Sequence, residues 1–130
     1  SKLDVTGRIT LINTLYTFTG AAGFECGELY MNSILTIERD VVLQSGNTYL
    51  VNNALTLKGN AGGFKIHLKS STTPHAFFNL NALAPQDVSD TRPTWIDSSG
   101  GQTIRTTIGT VLNNTINWAY KASSNFFIFF

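Results

Sequence analysis

The sequence of 130 residues has few charged residues, a single cysteine and no long hydrophobic run. Charged side chains make up 13% of it, against about 25% in an average soluble domain, and its formal net charge is +1. So small a net charge gives no indication of electrostatic binding to nucleic acid or to an anionic membrane. The lone Cys26 excludes an intrachain disulfide framework. No stretch approaches the roughly 18 apolar residues of a spanning helix, so we expect no membrane span.

Small polar residues take the place of the missing charges. The chain has 17 Thr, 12 Asn, 11 Gly and 10 Ser, and nine of its residues are Phe. A surface built from Thr, Asn and Ser in place of Lys and Glu suits a secreted or assembled β protein. The length fits one domain with a core of its own, so we interpret residues 1–130 as a single domain.

Helical periodicity is almost absent from the sequence. Short β-rich runs such as Ile34–Glu38 and Ala54–Lys58 occur in its place, and most end at a turn signal such as Gly59-Asn60. From Ile34 to Leu80 the runs follow one another too closely for helices to intervene. The sequence therefore predicts an all-β fold.

Two all-β architectures fit these runs, and the first is a short parallel β-helix. Leu55-Thr56-Leu57 echoes Leu35-Thr36-Ile37 twenty residues earlier, and Ile9-Thr10-Leu11 is a third copy of the apolar-Thr-apolar triplet. Repeats at this spacing predict a β-solenoid of about five or six coils, in which each coil stacks on the previous one. Apolar residues would then line the inside, and Thr and Asn would form ladders outside.

The alternative is an antiparallel β-sandwich or jelly roll. The Gly-Asn pairs between runs are hairpin signals. They would join Val41–Gln44 to Thr48–Val51, and Ala54–Lys58 to Phe64–Lys69, as antiparallel hairpins. Both architectures leave open strand edges, which a cap or another subunit must cover.

Two segments differ from the regular runs. Residues 85–101 are loop-like in composition, with one short strand at Thr94–Asp97, and are predicted to be an excursion from the body of the domain. Residues 125–130 are predicted to be a terminal apolar strand, whose large side chains are Phe126, Phe127, Ile128, Phe129 and Phe130. Such a run is an aggregation hazard if it is exposed. We expect it to be the last internal strand, or to form a subunit interface by pairing with an open edge of a neighbouring copy.

Two triplets and an Asn-rich segment also carry a resemblance to a known class of protein. With Leu35-Thr36-Ile37, Leu55-Thr56-Leu57 and the segment Asn113–Trp118, the chain resembles the Thr/Asn/Gly-rich β modules of bacterial surface proteins and phage structural proteins. The likeness is one of composition and pattern, from about Leu35 to Trp118. It implies an extracellular or virion-surface structural module, and it transfers no functional residue to this chain.

Candidate catalytic residues are few. Glu25 and Glu28 flank Cys26, but a thiolate nucleophile needs a nearby base, and the sequence places no histidine there. A second candidate set is an acidic group with one cation, which would act on polysaccharide only if it converged in a cleft: Asp87, Asp90, Asp97 and Arg92. We expect corner positions for these aspartates, and the sequence has no calcium loop. We therefore predict no catalytic residue, no cofactor and no metal.

Two further sets of residues are candidates for binding a glycan. His67 alternates with Lys65 and Lys69, opposite the apolar residues of the same run, which predicts a solvated strand face or a small cationic patch for an acidic glycan. Among the aromatic residues, Trp95 and Tyr120 are the candidate glycan contacts.

Taken together, these features predict a non-enzymatic structural subunit of an extracellular assembly, such as a surface fibre or filament. The expected partners are copies of the chain itself, in a homo-oligomer or polymer, and surface glycans are a further candidate. The expected location is extracellular or at the cell surface. A phage virion component, either a decoration or a fibre protein at the virion surface, is the alternative, and a carbohydrate-binding module is another.

Overall fold

The computed structural model describes residues 2–19, 22–62, 64–107 and 109–121. These residues form β-strands and no helix. The strands are β1 (Leu3–Ile12), β2 (Tyr16–Thr17), β3 (Gly23–Asn32), β4 (Arg39–Leu43), β5 (Thr48–Lys58), β6 (Ile66–Ser70), β7 (Ala76–Leu80), β8 (Gln86–Ser89), β9 (Ile96–Asp97), β10 (Ile104–Thr106) and β11 (Trp118–Tyr120). The all-β prediction is confirmed.

The strands form three sheets, and the chain visits the first two in turn. The main sheet has the order β1-β3-β5-β7-β9, with β8 also paired to β5. The second sheet is β2-β4-β6, and the third is β10-β11. From β1 to β7 consecutive strands alternate between the main and the second sheet, whereas β7, β8 and β9 follow one another within the main sheet.

Every ladder between these strands is parallel. The predicted antiparallel hairpins do not form, so the sandwich and jelly-roll alternative is wrong for the described strands. Val41 pairs with Tyr16 and Leu68 rather than with β5. The one antiparallel pair in the described part of the chain is the isolated bridge between Asn60 and Phe64. The Gly and Asn residues therefore turn the chain from one sheet to the other, where the hairpin signal predicted a reversal within a sheet.

The structure corrects the register of the predicted repeat. Leu55 pairs with Leu29, and Leu29 pairs with Ile9, so the first and third triplets lie in one column of the main sheet. The triplet at Leu35 lies in the corner between β3 and β4, where Ile37 is exposed. An apolar-Thr-apolar pattern is therefore shared by buried strands and by an exposed corner.

A bulge keeps the apolar side chains of the long strands on the core side. In β3 the core-facing residues are Cys26 and then Leu29, and the register shifts at Gly27 between them. In β5 the same shift separates Val51 from Leu55. A Cβ atom at Gly27 would collide with the carbonyl oxygens of β1, so only glycine fits this position.

Columns of apolar side chains from successive strands form the core. One column of the main sheet contains Phe24, Tyr49 and Phe78, all of them fully buried. The second sheet contributes Val41 and Leu68 from the facing side. Like positions thus stack from strand to strand, and each layer covers the next.

Residues 85–101 belong to this body, which corrects the predicted excursion. The segment contributes β8 and β9 to the main sheet, and Val88 and Ile96 are fully buried. Its Asp, Ser and Gly residues occupy the turns beside these short strands. Because residues outside the strands outnumber those within them, the composition of the segment resembles that of a loop.

Candidate functional site

The outermost strand of the main sheet has one free edge. β1 is ten residues long and pairs with β3, and no other described strand lies beside it. β3 and β5, in contrast, are paired on both sides. A free edge offers backbone donors and acceptors to any strand that can align with it.

Apolar side chains accompany this free edge. Leu3 is 51% exposed, Ile12 55% and Leu15 62%, whereas Val5 and Ile9 are half-buried against the core. We call β1 together with residues 15–18 the open end. It has the side-chain pattern of an inner strand, but within the described residues β3 is the only strand that pairs with β1.

Aromatic rings connect the open end to the core. Tyr16 packs edge-on against Phe18 with ring centroids 4.7 Å apart, and Phe18 lies 5.1 Å from Phe24. Phe24 in turn packs against the buried Tyr49 at 4.9 Å. The open end is therefore packed against the core on its covered face.

Ion pairs hold β1 to β3 on the outward face of the sheet. Lys2 Nζ lies 2.8 Å from Glu25 Oε1, and Arg8 Nε lies 3.8 Å from Glu28 Oε2. The hydrogen bond from Lys2 lowers the pKa of Glu25. Cys26 points the opposite way into the core, where burial raises the pKa of its thiol to about 11. This inert thiol and its two paired neighbours do not form a nucleophile site.

The acidic candidates are not brought together. Asp87 pairs with Lys58 at 3.3 Å, and Asp97 accepts a hydrogen bond from the Ser99 backbone at 2.8 Å. Arg92 pairs with Glu38 rather than with an aspartate. Among the described residues, no group of three or more His, Cys, Asp or Glu side chains is arranged to hold a metal ion.

The two aromatic candidates lie in separate environments. Trp95 is half-buried, has φ 57°, and packs edge-on against His75 with ring centroids 5.0 Å apart. Tyr120 on β11 is 48% exposed and donates a hydrogen bond to the Thr110 carbonyl at 2.7 Å. No described contact joins them into one platform. The apolar run Phe126–Phe130 lies outside the described residues, which end at Lys121.

The second sheet carries a polar cluster that the sequence pattern did not predict. His67 contacts Asp40 through Nδ1 at 3.2 Å and Thr94 through Nε2 at 3.0 Å. Burial lowers the pKa of the imidazole, and the nearby charges of Arg92 and Lys69 lower it further. The sequence signal was the equal spacing of 27 residues from Asp40 to His67 and from His67 to Thr94. This spacing has meaning only once the strands are known to pair in parallel.

Comparisons with known proteins give no relative from which a function can be transferred. No protein-family model, no curated protein and no solved structure matches the chain. Within the part of the chain that the structure describes, no helix is long and apolar enough to cross a membrane.

Proposed function

We propose that the chain is a β-solenoid module of an extracellular structural assembly, and that its copies associate through open strand edges. The parallel ladders support the solenoid, and so does the alternation of the chain between two sheets from β1 to β7. A surface filament and a virion fibre would use the same contact. The assembly has no catalytic step.

The free edge of β1 is the observation that carries this proposal. It combines ten residues of strand backbone with side chains that are apolar and half-exposed. A strand of a second copy that aligned with β1 would satisfy the backbone groups and cover Leu3, Ile12 and Leu15. Fully burying a Leu or Ile side chain contributes about 1.5–3 kcal/mol.

The segment Phe126–Phe130 is the proposed strand that β1 accepts. β11 is separated from β1 by five steps between neighbouring strands, through β10, β8, β5 and β3. At about 4.8 Å a step, this separation is about 24 Å. From Lys121 to Phe126 the chain spans at most about 18 Å. Phe126 therefore cannot reach β1 of its own copy, so pairing of the whole segment with β1 requires a second copy.

Such a contact is head-to-tail, because the donor and the acceptor lie at opposite ends of the stack. Head-to-tail contacts that do not close into a ring produce filaments. We therefore expect a polymer whose length depends on the protein concentration.

Light scattering on the full chain and on a chain truncated after Ser124 tests the proposal. We expect large particles from the full chain and monomers from the truncated chain, with the same far-ultraviolet circular dichroism. The truncated chain keeps β1, so adding it to the full chain should shorten the particles by blocking donated strands. A monodisperse full-length monomer would contradict the proposal and would return the segment to an internal position beside β11.

A further inference from the structure

The polar cluster around His67 has the geometry of an activated hydroxyl. Asp40 lies on β4 and His67 beside it on β6, while Thr94 follows β8 and is held next to Lys69 by a parallel bridge. The three side chains lie on the outward face of the second sheet. Both ring nitrogens of His67 are engaged, one on each side.

The hydrogen-bond partners fix the direction of these two bonds. An ionised carboxylate only accepts hydrogen bonds, so Nδ1 of the neutral ring must donate to Asp40. Nε2 then carries the lone pair and accepts from the hydroxyl of Thr94. The hydrogen-bond partners thus assign the tautomer of His67. In this tautomer the basic Nε2 lies 3.0 Å from the hydroxyl oxygen of Thr94.

The surroundings favour this neutral state. Burial is the largest cause that lowers the pKa of His67, followed by the charges of Arg92 and Lys69. Asp40 acts in the opposite direction. Lys65 directly precedes β6, two residues before His67, and Arg92 is paired with Glu38. The ring is therefore unprotonated near pH 7, which is the state that a general base requires.

We propose that Thr94 is an acyl-acceptor site, a point of covalent modification by carboxylic esters, with His67 as its base and Asp40 as a positioning residue. The Thr94 oxygen attacks the carbonyl carbon of the ester while its proton moves to Nε2 of His67. The bond to the leaving oxygen then breaks, and that oxygen takes the proton from His67. The products are a Thr94 ester and an alcohol or phenol.

Two observations favour a reactive hydroxyl over a passive polar ladder. Thr94 is half-buried rather than fully enclosed, so part of its surface is open to an acyl donor. Lys69, its bridge partner, projects from the same face, where its ammonium group can stabilise the negative charge that develops on the carbonyl oxygen. Another outward hydroxyl, that of Ser71, contacts the Gln44 side chain and the Ser45 backbone.

Acetylation by p-nitrophenyl acetate tests the proposal, with the modified residue located by peptide mass spectrometry. We expect acetylation at Thr94 to exceed that at Ser71. Thr94→Val should abolish the modification at this position, since it keeps the shape and removes the hydroxyl, whereas the matched Ser71→Ala should leave the rate unchanged. His67→Gln should slow the reaction on the order of a hundredfold.

Two measurements distinguish activation of the Thr94 hydroxyl from a purely structural role of His67 and Asp40: the Asp40→Asn variant and the pH profile of acetylation. Asp40→Asn should slow acetylation on the order of tenfold or more, because the ring loses the partner that fixes its tautomer. The rate should rise with pH to a plateau, with an inflection below the ordinary histidine value of 6.5. Acetylation spread evenly over surface amines and hydroxyls, or a Thr94 rate unchanged in Asp40→Asn, would overturn the proposal. None of these acetylation outcomes depends on whether copies of the chain assemble. Failure of the assembly proposal would appear in the light-scattering experiment instead.

Discussion

β1 and β3 are neighbouring strands of equal length in one sheet, yet their core-facing residues have very different environments. Leu29 and Met31 of β3 are essentially fully buried, whereas their partners in β1, Ile9 and Leu11, are only half-buried. Both strands alternate apolar and polar residues on either side of one register shift, where two residues of β1 lie opposite Gly27 of β3. Position in the sheet, rather than the strand sequence, therefore decides burial, and β1 has the sequence of an inner strand although no second described strand pairs with it.

Removing core side chains from the two strands should give the largest contrast. Leu29→Ala should lower the free energy of unfolding by about 2–5 kcal/mol, because it opens a cavity in a fully packed layer. Ile9→Ala should cost clearly less in the monomer, since its cavity opens to solvent. Urea denaturation of the truncated chain measures both. Equal losses would mean that the open end is covered in solution.

Two glycines with positive φ differ in how closely a neighbouring strand approaches them. Gly23 begins β3 at φ 84°, and a Cβ atom there would collide with the Thr48 carbonyl oxygen of β5. Gly46 has φ 83°, but open space surrounds the position of its Cβ. We expect Gly46→Ala to cost about 1 kcal/mol, from the left-handed backbone alone.

Gly23→Ala should cost several times more, because the strands must also separate. Thermal melts of the two variants measure the difference. Similar melting temperatures would contradict the close approach of β3 and β5.

Acid titration should reveal two smaller effects. His67 has a lowered pKa in the folded chain, so the unfolded chain binds more protons just below pH 6.5. Stability should therefore fall as the pH decreases through this window, and His67→Gln should remove that slope. The pKa of Glu25 is also lowered, so the stability from its contact with Lys2 is present above pH 4.5 and lost as the pH falls further.

Denaturation midpoints between pH 7 and pH 3 separate the two windows, with Glu25→Gln as the partner variant. A His67→Gln chain that keeps the full slope between pH 7 and pH 5 would contradict the burial of the imidazole.

The sequence predicted the strands better than their register. Alternation identified the runs around Leu55 and Leu68, and close spacing excluded helices. The triplet at Leu35 was indistinguishable from a strand, because a repeat pattern does not reveal which copy lies in a corner. The partners of His67 required a register of 27 residues, which no local pattern contains. Long-range pairing therefore created the cluster, and only the Lys-His-Lys alternation was visible beforehand.

One matched pair of substitutions tests whether copies of the chain associate through the open end. Leu3→Lys places a charge on the open end, whereas Leu83→Lys places the same charge at a leucine that is 93% exposed in the turn between β7 and β8. Sedimentation velocity of the full-length variants should show monomers for Leu3→Lys and unchanged assemblies for Leu83→Lys. Assemblies of equal size from both variants would contradict a contact at β1.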